Sequence, residues 1–135
     1  MAGNVTGFQR PYTFKANGTY STVGTDQAVV YGANAREAEV PESDNLKPLG
    51  VVTYQEESRD GATVAVQLDR LAEVSAEGAV NFGDEVIVGA GGVVKTLATA
   101  ALSAGVDANI LGVAQNTVAD GDKAQILIRP TVKTV

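Results

Sequence analysis

The sequence predicts a small all-β protein, a sandwich or barrel built from two related halves and preceded by an extended N-terminal arm. Composition is the first observation behind this prediction: 20 residues are Val, against eight Leu and four Ile, and Val favours pleated strands. Fifteen Gly and four Pro supply frequent turns. The other two observations are an abrupt change of composition after residue 25 and a duplicated pattern in the body.

The change of composition divides the chain into an arm, residues 1–25, and a β body, residues 26–135. All 16 acidic residues lie at or after Asp26, while the arm has two bases and no acid. The arm also holds four of the seven aromatic residues, among Gly, Asn and Pro residues that interrupt regular structure. Aromatic and Arg side chains commonly anchor interfaces. The candidate partner-binding residues are therefore the aromatics and bases of the arm: Phe8, Arg10, Tyr12, Phe14, Lys15 and Tyr20.

An alternative for the arm is a first strand that packs on the protein's own core. Tyr12 and Phe14 alternate as strand residues do, and Tyr20 extends the aromatic series. Four aromatic side chains are also costly to leave in water. Both interpretations stay open on the sequence alone.

The body contains an internal repeat, about residues 26–68 and 84–128. Three patterns recur in the same order: TDQAVVYGA and GDEVIVGA, LGVV and LGVA, and DGATVAVQL and DGDKAQILI. The offsets between matched residues are nearly constant, at 58 for Asp26 and Asp84, 62 for Gly50 and Gly112, and 60 for Gly61 and Gly121. This period is longer than that of ordinary solenoids, so it favours two similar β units packed into one domain.

Each Asp-Gly pair of the repeat precedes a segment of alternating side chains. Asp-Gly before such alternation is typical of a tight turn leading into a strand. One face of each strand is apolar and is predicted to lie in the core: Val64, Val66, Leu68, Ile126 and Ile128.

The composition excludes several classes of function. The chain has no Cys, His or Trp, so nucleophilic triads and zinc hydrolysis lack their usual side chains. We therefore expect no enzyme activity, no cofactor and no metal. The net charge of −6 disfavours nucleic acid and anionic membranes as partners. The apolar runs are too short to span a membrane and no apolar leader is present, which predicts synthesis in a host cytoplasm.

Local motifs that suggest chemistry are explained more simply as turns. SRDGAT and VADGDK lack the apolar strand and the hydroxyl that flank the paired Asp of aspartic proteases. Asp120 and Asp122 supply too few oxygens for calcium. GAGG at residues 89–92 is not followed by the Lys-Ser or Lys-Thr of a phosphate loop. A hydrolase that uses carboxylates alone is the enzyme alternative that remains.

Several motifs of the body together form a pattern found in one class of viral protein. They are LGVV and LGVA, each followed by a polar turn, NFGDEVIVGAGGVVKT, and the closing DGDKAQILIRP. With these motifs, roughly residues 24–132 resemble the capsid decoration, or cement, proteins of tailed bacteriophages. The arm is not matched.

This resemblance implies a structural virion protein on the outer capsid surface. Such a protein binds an assembled phage head and stabilises it by bridging subunits of the major capsid protein, commonly as a homotrimer, and it performs no covalent chemistry. The alternatives are another phage structural subunit, such as a head fibre, tail or baseplate protein, and a bacterial β-type binding module. A carbohydrate-binding domain is disfavoured, because the chain has no Trp and most of its aromatics lie in the arm.

Overall fold

Strands are the main secondary structure of the computed structural model, which describes residues 12–135. The first half consists of β1 (Tyr12–Asn17), β2 (Ala28–Tyr31), β3 (Glu37–Glu39), β4 (Pro48–Gln55) and β5 (Thr63–Gln67). The second half consists of β6 (Arg70–Ser75), β7 (Glu85–Gly89), β8 (Val93–Thr96), the helical turn α1 (Leu97–Ala100), β9 (Asp107–Ala114) and β10 (Lys123–Thr134). The all-β prediction is confirmed.

The two halves have the same strand order. The first half is a closed barrel in the order β1-β3-β2-β4-β5, in which β5 pairs back to β1. The second sheet has the order β8-β7-β9-β10-β6, and a parallel bridge from Ala76, directly after β6, to Val94 in β8 brings its edges together. Strands β1 to β5 therefore correspond one by one to β6 to β10.

The two Asp-Gly pairs occupy equivalent positions in the two halves. The Asp60 carboxylate accepts a hydrogen bond of 2.8 Å from the Gly18 N–H, and the Asp120 carboxylate accepts one of 2.7 Å from the Gly78 N–H. Donor and acceptor are 42 residues apart in both cases. Each carboxylate thus fixes the residue just after the first strand of its half against the turn before the last strand, which is the relation that the sequence repeat predicts.

The Gly of LGVV and LGVA lies against the backbone of the neighbouring strand. A Cβ atom at Gly50 would lie 2.2 Å from the carbonyl oxygen of Gln67, and one at Gly112 would lie 2.1 Å from that of Leu127. Real Cβ atoms do not approach a backbone oxygen this closely. Glycine is therefore required at both positions because strands β4 and β9 cross their partners too closely for a side chain.

The predicted arm boundary at residue 25 is corrected by strand β1. Residues 12–17 pair with β5 along one edge and with β3 along the other, and Ala16 is buried between them. A strand that is hydrogen-bonded on both edges belongs to the barrel, as in the alternative interpretation. The first half therefore begins at Tyr12 and not at residue 26. Residues 1–11, with Phe8 and Arg10, lie outside the described residues, so an arm there stays a prediction.

The structural alignment of β2 with β7 differs by one residue from the alignment that Asp26 and Asp84 suggest. Val29 pairs with Gly50, and Val86 pairs with Gly112, so the equivalent residues are 57 apart and not 58. A shift of one residue reverses the face of every side chain in a strand. The Gly-Ala ends of the two patterns, at residues 32–33 and 89–90, already have the spacing of 57.

The core consists of three apolar clusters. One fills the barrel, one fills the second half, and a smaller one lies under α1. The second cluster also contains Ala28, Val30 and Val51 of the first half, so the two halves share apolar packing. Four of the predicted core residues are buried, namely Val64, Val66, Ile126 and Ile128, whereas Leu68 is half-buried at the edge of the barrel cluster.

The loop between β3 and β4 holds the two halves together with polar contacts. Asn45 donates its N–H to the Val88 carbonyl at 3.0 Å and accepts two further hydrogen bonds of 2.8 Å from Asn109. Asp44 accepts a hydrogen bond of 2.8 Å from the Lys95 ammonium and one of 3.0 Å from the Ala90 N–H. This loop therefore fixes the orientation of the barrel relative to the second half.

The charges of the Asp44–Lys95 pair are stabilised by their contacts. Burial acts to raise the pKa of Asp44, but the hydrogen bonds from Lys95 and Ala90 outweigh it and hold the pKa below its ordinary value. The hydrogen bonds to Asp44 and Glu77 raise the pKa of Lys95. The stability that Asp44 contributes is therefore present at neutral pH and is lost as the pH falls through its lowered pKa. The contribution of Lys95 is lost only as the pH rises through its raised pKa.

We predict that Gly50→Ala and Gly112→Ala each lower the free energy of unfolding by about 2 kcal/mol or more, because the backbone oxygen opposite cannot move without breaking the sheet. Denaturant unfolding measures this. Gly24→Ala is the control, since a Cβ there has only ordinary contacts at 3.5 Å or more, and its effect should be within about 1 kcal/mol. Equal stabilities for all three variants would contradict the close approach.

We predict that Asp44→Asn lowers the free energy of unfolding by about 1–2 kcal/mol at neutral pH, because Lys95 loses one of its two charged partners and keeps only the more exposed Glu77. The difference from the native chain should begin to shrink below about pH 4, the ordinary pKa of an Asp side chain, and should be lost as the pH falls through the lowered pKa of Asp44. Urea unfolding at both pH values measures this. Glu57→Gln is the control, because its ion pair with Arg59 is exposed and should contribute less than about 0.5 kcal/mol. A constant difference at all pH values would contradict the electrostatic explanation.

Candidate interaction surface

One end of the barrel collects exposed apolar and aromatic side chains. Strands β1, β3 and β4 start at this end, and the antiparallel strands β2 and β5 finish there. We name it the tyrosine end, and it is defined by Tyr12, Tyr31, Lys47, Pro48 and Leu68, which begin, end or directly flank these strands.

The two tyrosines of this end are more than half exposed. Tyr12 is the first residue of β1, and its pairing with Val66 places it on the inner face of the strand, at the mouth of the barrel, with 55% of its surface exposed. Tyr31 is the last residue of β2 and is 57% exposed. The Lys47 ammonium lies 5.4 Å from the centre of the Tyr31 ring, a cation–π contact that restricts the ring.

An apolar groove of about 370 Å³ lies between the tyrosine end and the second half. From the barrel it is lined by Tyr31, Lys47, Pro48, Leu49 and Leu68, and from the second half by Asn109, Ile110, Pro130, Thr131 and Val132. The volume falls within the range of ordinary ligand-binding pockets. The groove exists because the end of β10 projects past β6 and lies against the barrel's open end.

The second half shows which of these side chains the fold itself requires. Tyr12 pairs with Val66, and its equivalent Ala72 pairs with Ile126, 60 residues further along in both cases. Ala72 is buried and small. An aromatic side chain at this strand position is therefore not needed to form the fold.

The same comparison applies to Tyr31. Tyr31 pairs with Ala38, and Val88 pairs with Val94 at the equivalent place in the second half. Val88 is fully buried, whereas Tyr31 is exposed. The tyrosines are thus additions of the first half to a shared framework.

Tyr20 and Phe82 lie away from this end. The offset between the halves is 60 at Gly18 and 57 at Val29, so the first half has three extra residues between them, and Tyr20 lies in this segment. It follows the far end of β1, opposite Tyr12. Phe82 is 69% exposed in a turn of the second half. Phe82 therefore provides a matched exposed aromatic residue outside the tyrosine end.

The tyrosine end is basic, although the chain as a whole is acidic. The described residues include nine Lys and Arg, because Arg10 lies outside them. Within the described residues, four of the nine form salt bridges: Arg59, Lys95, Lys123 and Lys133. Three of the other five flank strands at the tyrosine end, namely Arg36 before β3, Lys47 before β4 and Arg70 after β5. The neighbouring acids are the exposed Asp69 and Glu37, the first residue of β3.

Local hydrogen bonds hold the loop before β3 at this end. The Glu37 carboxylate accepts hydrogen bonds of 2.9 Å from the Asn17 side chain and 3.1 Å from the Asn34 N–H. These bonds lower the pKa of Glu37, and the bond from Asn17 has the largest effect. Arg36 lies 4.6 Å above the Phe14 ring and donates to the Thr13 carbonyl. The loop is therefore an ordered rim of the barrel end.

The structure does not bring the predicted partner-binding residues into one site. Tyr12 lies at the tyrosine end, Phe14 is half-buried against the barrel cluster, and Lys15 is exposed beside β3. Tyr20 lies at the opposite end, and Phe8 and Arg10 are outside the described residues.

Sequence reasoning missed Tyr31 and the groove. The difference between AVVYG and EVIVG, two otherwise similar segments, was the signal that could have identified Tyr31. Among the residues that the structure describes, no group of three or more acidic side chains is arranged to hold a metal ion. No helix in the same part of the chain has the length and apolar character of a membrane span.

Comparison with known proteins identifies a shared fold. No family model and no curated protein sequence matches the chain. Among solved structures, the N base of the head fiber protein gp8.5 of bacteriophage phi29 matches with a TM-score of 0.63 and 18% sequence identity. The chain has the fold of that fibre base. The match covers 87% of this chain and 92% of the fibre base, so it includes both halves.

We predict that replacing the two tyrosines with their second-half equivalents, as Tyr12→Ala and Tyr31→Val, changes the free energy of unfolding by less than about 1 kcal/mol each, because both side chains are exposed. Urea unfolding measures this. Ile126→Ala is the positive control, and the loss of this buried side chain should cost about 2–5 kcal/mol. Losses of that size at the tyrosines would show that they support the fold.

Proposed function

We propose that the chain is a structural virion protein that binds the outside of a phage head and stabilises it by bridging major capsid subunits. It acts without catalysis, cofactor or metal, as a homotrimer. The fold shared with a phage head fibre base supports a structural phage protein, and the sequence resemblance to decoration proteins supports the position on the head.

The observation that carries this proposal is that the exposed Tyr12 and Tyr31 of one barrel end have no aromatic equivalent in the second half. Tyr20 and Tyr54 are also exposed, toward the other end of the barrel. Tyr12 and Tyr31 are exposed at the same barrel end, while Ala72 and Val88 occupy the equivalent positions of the second half. Exposed aromatics that the framework does not require are typical of binding hot spots. A partner surface that covers the tyrosine end would bury both rings.

The charge distribution supports the same orientation. The chain has a net charge of −6, but Arg36, Lys47 and Arg70 surround the tyrosine end. A basic face on an acidic protein orients it toward an acidic partner and keeps its other faces apart from one another.

The N-terminal residues join the body at this end. The chain enters β1 at Tyr12, so residues 1–11 connect to the tyrosine end. Phe8 and Arg10 are therefore close in sequence to the proposed attachment face, and we propose that they contribute to it.

A second candidate function is the base of a head fibre. The likeness to the phi29 fibre base favours it, because the match spans nearly the whole of that base. In this role the chain would still attach to a head, but it would also carry a projecting fibre.

The test is binding to heads. Purified protein is mixed with heads of the encoding phage that lack it, and bound protein is measured by co-sedimentation and located by cryo-electron microscopy. We expect saturable binding at sites between capsid subunits and a higher temperature of head disruption. The double variant Tyr12→Ala, Tyr31→Val should bind at least about tenfold more weakly, because two hot-spot rings are lost.

Phe82→Ala is the matched control and should bind like the native chain. Native protein that does not sediment with heads would overturn the proposal. Equal binding by the double variant would move the attachment face elsewhere. A fibre density projecting from the bound protein would favour the second candidate function.

A further inference from the structure

Among residues 12–135, the end of strand β10 has one edge without a partner strand. Strand β6 pairs with β10 only as far as Arg70 and Ile128, while β9 continues to pair up to Thr134. Arg70 has a left-handed backbone, with φ of 67°, which turns the chain away before β6 can extend further. Within residues 12–135, no strand pairs with the remaining edge of β10.

The backbone of Val132 points to this free edge. Val132 lies opposite Asn109 in β9, and the Asn109 N–H donates to the Asn45 side chain at 2.8 Å instead of to β10. Val132 and Asn109 are therefore a pair without mutual hydrogen bonds. In an antiparallel ladder the N–H and C=O of such a residue face the other side of its strand. A free donor and acceptor thus lie at the edge of the groove.

The groove beside this edge suits an extended segment. Pro130, Thr131 and Val132 line it from β10, and Val132 is 62% exposed. Across the groove lie Pro48 and Leu68 of the barrel. An added strand would pair with the backbone of Val132 while every second side chain enters the groove, as in recognition by strand addition.

The charges around the groove select the chemistry of the occupant. Lys47 lines the groove, Arg129 directly precedes Pro130, and Arg70 follows the Leu68–Asp69 turn. Asp69 and Asp107, two residues before the groove-lining Asn109, are acids close to the groove. The three bases outnumber them, which favours a negatively charged segment. The chain's own residues 1–11 carry Arg10 and no acid, so they match this charge less well.

We propose that the β10 edge and the groove bind an extended acidic segment of the phage-head partner by β-strand addition. The segment pairs with the Val132 backbone, its alternate apolar side chains fill the groove, and its carboxylates meet Lys47, Arg70 and Arg129. This inference rests on the proposed function, since it specifies what the attachment face recognises.

The first test uses a short capped peptide in which valine and glutamate alternate, and a second in which valine and lysine alternate. Each is titrated into the full chain labelled with ¹⁵N. We expect the glutamate peptide to shift the Val132 amide resonance and to slow its hydrogen exchange, and the lysine peptide to bind at least about tenfold more weakly. An unaffected Val132 amide, or equal binding of both peptides, would overturn the proposal.

Val132→Pro removes the N–H that an added strand needs, at an edge where proline is tolerated. Val132→Thr is the matched control, because it keeps the N–H and the branched side chain. We expect the proline variant alone to lose peptide binding, with thermal unfolding used to confirm that both variants fold. Retained binding by a folded proline variant would overturn strand addition.

Binding of the same variants to heads separates this inference from the proposed function. If the native chain and Val132→Pro bind heads equally, the groove is not the recognition site, but the proposed function stands. If the native chain does not bind heads, the proposed function fails. A last control tests whether the chain's own N-terminal segment occupies the groove. Residues 1–11 are deleted, and the Val132 amide resonance is compared with that of the full chain in the absence of peptide. A shift on deletion would overturn the assignment of the groove to a partner.

Discussion

Pairing of β1 along both of its edges is the constraint on which the rest of the structure depends. Its antiparallel contact with β5 and its parallel contact with β3 close the first sheet, so the first half has no free edge. The same closure places Tyr12 at the barrel mouth and brings the ends of β2 and β5 to the same side. In the second half the corresponding closure is a single bridge, Ala76 to Val94, and no strand of residues 12–135 pairs with the outer edge of β10 at its end.

The parts of the fold that depend on local chemistry could be predicted from the sequence. Asp-Gly turns, alternating Val and Ile residues and the repeated glycine step each leave a pattern within a few residues. The role of β1 could not be predicted in this way, because β3 is only three residues long and reads EAE, with no apolar alternation. Without a recognisable β3, the aromatic segment before residue 25 has no visible partner and its composition favours an arm.

The tyrosine end and the groove were hidden for a related reason. The residues that line the groove come from strand ends spread over a hundred residues of chain, and only the packing of the two halves brings them together. Tyr31 is the partial exception, since comparison of the repeats marks it as a departure from the shared pattern. In a duplicated chain, each half can be compared with the other. Positions at which the halves agree belong to the shared framework, and positions at which they differ mark side chains that only one half has.

The apolar cluster shared by the two halves has a mechanical consequence. Ala28, Val30 and Val51 of the barrel are packed among the interior residues of the second half, and no linker separates β5 from β6 beyond the short turn at Leu68 and Asp69. Neither half can melt without exposing apolar surface of the other, so unfolding should be a single cooperative event. A force applied at one half passes through solid packing to the other. A copy fixed to a shell under internal pressure would therefore behave as a rigid block and not as a hinge.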